Sequence, residues 1–134
     1  MIGQSELRIN CVARAAAARP MRHAVACFLA ATGVAADTAD DILTAVGEAR
    51  AIVMEHAYDP ACPSDGELHA RFQEHARLAI DVFDRGQFVR RDARPGRGFG
   101  LRIVRAIARE VSIDTHDGTR LRMVFDAPVA QAVL

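Results

Sequence analysis

The stretch from residue 37 to residue 57 constrains the fold most, because its apolar side chains recur at spacings of three and four. In a helix of about 3.6 residues per turn, such positions lie on one face and form a stripe that must be buried. Asp37 or Thr38 is suited to cap the start of this helix with a side-chain oxygen. The sequence therefore predicts a long amphipathic helix whose buried stripe is Ile42, Val46, Ala49, Val53 and Ala57.

Strand and helix patterns lie on both sides of this helix. Strands are predicted where apolar and polar residues alternate, and helices where apolar residues recur at helical spacing. Asp117-Gly118 is a strong signal for a tight hairpin between two of the strands. The predicted strands are residues 6–12, 67–73, 77–83, 111–115 and 119–125, and the other two helices run from Pro20 to a stop at Gly33 and over residues 99–109.

Loops are predicted where this patterning stops. Residues 60–66 are rich in proline, aspartate and glycine, and Glu74-His75 makes a short turn. From residue 84 to residue 98 the segment contains five arginines and three glycines, and we expect a mobile loop there. The helix that follows this loop is expected to bury Leu101, Val104, Ile107 and Ala108.

The order of these elements predicts the fold class. The order separates the three helices from a mostly antiparallel sheet of about five strands, so the helices should pack together on one side of that sheet. A chain of 134 residues with 51% hydrophobic residues can bury one substantial core. We therefore predict an α+β two-layer sandwich in which residues 1–134 form a single domain.

Composition limits the classes of partner. The chain has 17 basic and 17 acidic residues, so no global charge favours direct nucleic-acid binding or a membrane surface. Cys11, Cys27 and Cys62 lack the spacing of a zinc site or a disulfide scaffold. No apolar run is long enough to span a bilayer, and the first residues do not resemble a secretory signal. We expect a cytoplasmic protein.

Three segments carry residues suited to ligand chemistry. On the long helix, Glu48, Ile52 and Glu55 or His56 share a face beside the apolar stripe. Asp84-Arg-Gly86 follows a strand, where a carboxylate can accept from an exocyclic amine and a glycine lets a flat ring approach. Each pattern alone also fits an ordinary structural role, as a solvated carboxylate or a turn.

The third segment is Gly96-Arg-Gly-Phe-Gly-Leu101, which ends the long loop and opens a helix. Backbone N–H groups at a helix N-terminus favour phosphate, and Arg97 adds a planar donor. A glycine-rich turn before a helix is also common without any ligand. A dinucleotide-binding Rossmann fingerprint is excluded, because the preceding strand, the glycine spacing and the downstream acidic residue do not match it.

Taken in order, these segments and Gly118-Thr119 resemble the N, G1, G2 and terminal motifs of GHKL (Bergerat-fold) ATPases, in the version found in RsbW-type anti-sigma factor serine kinases. The resemblance spans residues 6–125. It implies that Glu48 is the general base toward a serine hydroxyl, that Asp84 and Thr119 hold the adenine, and that residues 85–96 form a lid. It also implies the remaining ATP-binding residues, Gly86 beneath the purine and Arg97, Gly98, Phe99, Gly100 and Leu101 around the phosphates.

The sequence departs from this family at one position that matters for Mg²⁺. One helical turn after Glu48 the family places a magnesium-binding Asn, whereas this chain has Ile52, and its only Asn is Asn10 on the first strand. Mg²⁺ requires oxygen ligands, which an aliphatic side chain lacks. Either water, phosphate and Glu48 or Glu55 hold the metal, or the domain has lost kinase chemistry. Residues Gln87 and Phe88 also stand where a further Gly is common.

The resemblance implies a partner-switching regulator. Such a homodimer holds a sigma factor, exchanges it for a STAS-type anti-sigma antagonist, and phosphorylates a serine of that antagonist with ATP and Mg²⁺. The alternative is a catalytically inactive regulator that sequesters a partner without nucleotide. A detached catalytic domain of a histidine kinase fits less well, because no phosphoacceptor hairpin precedes the domain and the lid is short.

Overall fold

The fold is taken from a computed structural model that describes residues 6–12, 15–57, 65–85 and 99–129. Eight helices and strands follow one another in these ranges, with a 3-10 turn at Ala15–Ala17. They are β1 (Glu6–Val12), α1 (Ala18–Ala31), α2 (Ala36–Ala57), β2 (Asp65–Gln73), β3 (Arg77–Asp84), α3 (Phe99–Ile107), β4 (Glu110–Asp114) and β5 (Thr119–Asp126).

The five strands form one sheet in the order β1-β2-β3-β5-β4, and each neighbouring pair is antiparallel. β3 is the central strand. α2 packs on β3 and β5, while α1 and α3 both contact α2. The predicted α+β two-layer sandwich, with five strands and three helices, is confirmed.

The core lies between α2 and the sheet. The predicted stripe of α2 is buried as far as it is described, with Ile42, Val46, Ala49 and Val53 each at most 3% exposed. Alternate residues of β3 and β5 meet this stripe, so one face of each strand is apolar. These sheet residues are Leu78, Ile80, Val82, Leu121, Met123 and Phe125.

Several predicted boundaries were wrong by one or two residues. α2 begins at Ala36, so Asp37 and Thr38 lie in its first turn and not before it. Asp65 and Gly66, predicted as loop, belong to β2 because they pair with the end of β1. Asp84, also predicted as loop, is the last residue of β3, where it pairs with Thr119.

The C-terminal elements also differ slightly from the prediction. α3 ends at Ile107 and not at Arg109, because the Arg109 N–H already donates to the carbonyl of Val124, 2.7 Å away. β4 accordingly starts at Glu110 and ends at Asp114. On α3 only Val104 is fully buried, while Leu101 and Ile107, and Ala108 just after the helix, are partly buried. The predicted loops at residues 60–64 and 86–98, and the side chains of His56 and Ala57, lie outside the described residues.

Candidate functional site

Glu48 of α2 lies against the first turn of α3. A Cβ added at Gly100 would come 2.9 Å from Oε2 of Glu48 and 3.6 Å from Cδ1 of Ile52. The absence of a side chain at Gly100 therefore allows the carboxylate and the isoleucine to lie directly on the α3 backbone. Unpaired N–H groups make a helix N-terminus partly positive, which favours a carboxylate or a phosphate at this point.

Asp84 and Thr119 form a buried polar pair at the end of the central strands. They are direct partners in the β3–β5 register and are 2% and 1% exposed. By strand alternation, both lie on the side of the sheet that faces the helices. Within the described part of the chain, the buried Thr119 Oγ1 has no hydrogen-bond partner. A ligand with a donor or acceptor here would satisfy a group that the fold leaves unpaired.

Gly118 allows the β4–β5 turn to close on the end of β3. Its φ is +86°, and a Cβ at this position would lie 2.1 Å from the backbone oxygen of Asp84. Both the backbone conformation and the contact therefore require glycine. The turn fixes Thr119, the next residue, beside Asp84.

The structure thus groups the predicted site residues into two clusters. Glu48, Gly100 and the neighbouring Phe99 and Leu101 lie where α2 meets α3, and Asp84 and Thr119 lie at the end of β3 and β5. Phe99 is 57% exposed, with the guanidinium of Arg102 5.9 Å from its ring centre. Gly86, Arg97 and Gly98 lie outside the described residues, in the segment that joins the two clusters along the chain.

These residues fit a nucleotide better than they fit a metal ion. A buried carboxylate beside an unpaired hydroxyl matches the polar edge of a purine, and a helix N-terminus matches phosphate. Ile52 is partly buried against the core and offers no oxygen. Among residues 6–12, 15–57, 65–85 and 99–129, no three His, Cys, Asp or Glu side chains are grouped to hold a metal.

Sequence reasoning did not single out an ion pair on the other side of the sheet. Arg122 of β5 donates two hydrogen bonds, of 2.7 and 2.8 Å, to Asp81 of β3. These bonds, with the attraction of the carboxylate, raise the pKa of the Arg122 guanidinium above its ordinary value. Strand alternation places Asp81 opposite Arg122 once the register is known, but the sequence alone does not give that register.

Comparison with protein families decides the classification of this fold. The model of the histidine kinase-like ATPase domain matches residues 11–125. The chain belongs to the histidine kinase-like ATPase domain family. A search of curated proteins finds no match.

A solved structure supports the fold of this ATPase domain. It is the crystal structure of the RsbU and RsbW domains of Rv1364c from Mycobacterium tuberculosis, with a TM-score of 0.74 and 24% sequence identity. The similarity covers 92% of the present chain but only 32% of the solved one. The ATPase domain therefore corresponds to about a third of that longer protein.

None of the helices in the described ranges combines the length and the apolar character that a bilayer crossing requires.

Proposed function

We propose that this ATPase domain binds ATP and acts as an RsbW-like anti-sigma factor and serine-protein kinase of a partner-switching system, with phosphoryl transfer weakened by Ile52. The proposal combines the family match, the fold of the RsbW-containing structure and the two polar clusters. The observation that carries it is the buried Asp84–Thr119 pair, in which the threonine hydroxyl has no partner among the described residues.

Adenine binding follows from the chemistry of this pair. The Asp84 carboxylate accepts from the exocyclic amine, and the Thr119 hydroxyl reaches a ring nitrogen directly or through water. Gly86, in the segment outside the described residues, lets the purine approach the chain. Guanine has a carbonyl where adenine has the amine, so the same carboxylate would repel it. The pair therefore selects ATP over GTP.

Phosphate binding and catalysis are assigned to the contact between α2 and α3. The N-terminus of α3 attracts the phosphates, with Arg97, Gly98, Phe99, Gly100 and Leu101 as the chain segment around them. Glu48, whose carboxylate lies against Gly100, is assigned as the base that accepts a proton from an attacking serine hydroxyl. Ile52 lies against the same glycine position. A Mg²⁺ ion at this point would therefore have one protein ligand fewer than in the family, which places an Asn where this chain has Ile52.

The partners are proposed from the family. We assign a sigma factor as the sequestered protein and a STAS-type antagonist as the competing partner and phosphorylation substrate. We also assign a homodimer in the cytoplasm. The fold shared with the RsbW-containing structure supports a partner-switching role.

A second candidate is favoured by the packing of Ile52. This side chain packs against the core and lies next to Glu48 at the start of α3. A metal-bound triphosphate would need the same space. In this alternative the domain binds its partner without nucleotide. The two candidates differ in a property that is measured directly, namely nucleotide affinity.

Calorimetry on the full chain with ATP, GTP and ADP, each with and without Mg²⁺, tests the proposal. We expect ATP and ADP to bind, GTP to bind much more weakly, and Mg²⁺ to add little affinity. No heat with ATP at millimolar concentration would overturn ATP binding and leave the nucleotide-independent regulator.

Kinase activity is tested by incubating the chain with labelled ATP and a candidate STAS-type antagonist. We expect slow formation of phosphoserine that is abolished in Glu48→Gln. Transfer that is equally fast in Glu48→Gln would contradict the role of Glu48 as general base.

A further inference from the structure

The face of the sheet opposite the helices holds a concave, arginine-rich surface. A cavity of about 240 Å³ lies over β1, β2, β3 and β5. Its arginines are Arg8, Arg71, Arg85, Arg120 and Arg122, and we call this set the arginine face. The whole chain has a net charge of zero, so five arginines around one cavity are a local excess of positive charge.

The acidic side chains in this cavity are already paired. Asp81 accepts both hydrogen bonds from Arg122, and Glu67 lies 3.8 Å from Arg8 and 3.6 Å from Arg85. By contrast, Arg71 and Arg120 have no carboxylate within 4.0 Å among the residues that the structure describes. The surface therefore keeps unneutralised guanidinium groups that point to an anionic partner.

An aromatic ring holds part of the arginine face in place. The guanidinium of Arg120 lies 5.0 Å from the ring centre of Phe83, and that of Arg85 lies 5.8 Å from it. Cation–π attraction restricts both long side chains. Less conformational entropy is then lost when they bind a ligand.

We propose that the arginine face docks an extended acidic segment of a partner protein. Planar guanidinium groups bind carboxylates through paired hydrogen bonds. In an extended segment, alternate residues are about 6–7 Å apart and point to the same side, so glutamates at alternate positions can reach arginines on neighbouring strands. This surface lies on the opposite side of the sheet from Asp84 and Thr119, so the proposal does not depend on nucleotide binding.

Charge argues against two other occupants. If two copies of the chain met through this surface, the five arginines of one copy would face the five of the other. The carboxylates of Asp81 and Glu67 could not offset this repulsion, because each is already paired with arginines of its own copy. A nucleic acid would place a continuous line of phosphates over Glu67 and Asp81, which lie inside the cavity. A peptide can present its carboxylates only where guanidinium groups meet them.

The test measures fluorescence anisotropy of a labelled peptide of alternating glutamate and serine, added to the full chain at physiological salt. The face variant is Arg71→Glu with Arg120→Glu. The matched control is Arg22→Glu with Arg105→Glu, which makes the same charge change at exposed positions of α1 and α3. We expect the face variant to lose at least about tenfold in affinity, the effect of about 1.4 kcal/mol, and the control to bind like the native chain.

Four results would overturn the proposal. The first two are an equal loss in both variants and equal binding of a glutamine-for-glutamate peptide, since either would mean that no specific carboxylate contact exists. The third is tighter binding of an oligothymidylate than of the acidic peptide. The fourth is a dimer in sedimentation that the face variant alone abolishes, because the arginine face would then be a self-interface. Circular dichroism of both variants establishes that each is folded.

Discussion

Thr119 is buried with a hydroxyl that has no partner among the described residues, although buried polar groups in folded proteins are nearly always satisfied. Leaving such a group unpaired costs about 1–3 kcal/mol. The cost is suffered by the ligand-free fold and is relieved when a ligand supplies the missing partner. If Thr119 contacts the nucleotide as proposed, its hydroxyl links the stability of the domain to nucleotide binding.

Replacing Thr119 by valine separates these two effects. Valine has nearly the same shape and removes the unpaired hydroxyl, so we expect the free energy of unfolding without nucleotide to rise by about 1 kcal/mol. We expect ATP affinity to fall by a similar free energy. Urea denaturation and calorimetry measure the two quantities.

Asp84→Asn is the companion variant, because it should weaken ATP binding by more than about 1 kcal/mol through loss of the charged acceptor. An unchanged ATP affinity in both variants would remove this pair from the site.

Ile52→Asn tests why phosphoryl transfer should be weak. Asparagine supplies the oxygen ligand that Mg²⁺ lacks on this helix face, so we expect Mg²⁺ to increase ATP affinity in this variant and not in the native chain. Titration of ATP with and without Mg²⁺ measures the effect.

Ile52→Val, which keeps the aliphatic character, is the control and should leave the Mg²⁺ dependence unchanged. If Ile52→Asn folds and still shows no gain from Mg²⁺, the missing ligand is not what limits metal binding.

At the scale of helices and turns, two glycines position the candidate site for different reasons. A Cβ at Gly100 meets the end of the flexible Glu48 side chain, whereas a Cβ at Gly118 meets the backbone of Asp84. Side-chain atoms can move aside at small cost, but a paired strand cannot. The two positions therefore respond differently to the same substitution.

We expect Gly118→Ala to lower the free energy of unfolding by more than about 2 kcal/mol, since it adds a clash to a φ of +86°. Gly100→Ala should keep the stability but reduce ATP binding, because the added methyl group takes up space at the α3 N-terminus, where we propose that the phosphates bind. Gly47→Ala is the control: its Cβ meets nothing within 4 Å, so it should stabilise α2 by about 0.5–1 kcal/mol. Thermal denaturation and calorimetry compare all three, and an unfolded Gly100→Ala variant would contradict the expectation.

The contact between β1 and β2 should depend on pH. Glu6 of β1 hydrogen-bonds to His69 of β2, and this bond lowers the pKa of the Glu6 carboxyl below its ordinary value. A lowered pKa stabilises the fold at pH values above the ordinary pKa of a glutamate, and this contribution is lost as pH falls through the value in the folded state. The difference in Tm between the native chain and Glu6→Gln should therefore be largest near neutral pH and should disappear in acid. A difference that stays constant with pH, or that is unchanged when His69 is also replaced by glutamine, would contradict this account.

Sequence patterning predicted the elements well where one face is buried. The apolar stripe of α2 and the alternation in β3 and β5 arise from burial on one side, and periodicity records that burial. Asp65, Gly66 and Asp84 were misassigned because each is a turn-forming residue type that is held in a strand by its cross-strand partner. Pairing with a distant segment is not visible in local patterning.

For the candidate site, the sequence indicated a set of residues whose roles stay predictions. Motif order pointed to Glu48, Asp84, Gly100 and Thr119, and the structure places the first against Gly100 and the second against Thr119. The unpaired hydroxyl and the arginine face did not follow from the sequence, because both depend on the register of β3 against its neighbours. Gly86, Arg97 and Gly98 lie outside the described residues.

At the scale of the whole molecule, one core predicts one cooperative unfolding transition, and a bound nucleotide should shift it as a unit. At an ATP concentration about one hundred times Kd, binding adds about 2.7 kcal/mol to the stability, or roughly 10 °C in Tm for a domain of this size. GTP should give little shift, and Asp84→Asn should reduce the shift with ATP. Scanning calorimetry at increasing ATP concentration measures it, and a Tm that does not depend on ATP would contradict nucleotide binding.

The central strand carries Asp84 on its helix-facing side and Asp81 and Phe83 on its solvent side. Inserting or deleting one residue in β3 would exchange these sides, exposing the carboxylate that we propose to bind adenine and turning the phenylalanine inward. Both surfaces would be lost in that one event. Substitutions can therefore change either surface separately, whereas a change in the length of β3 would disrupt both surfaces.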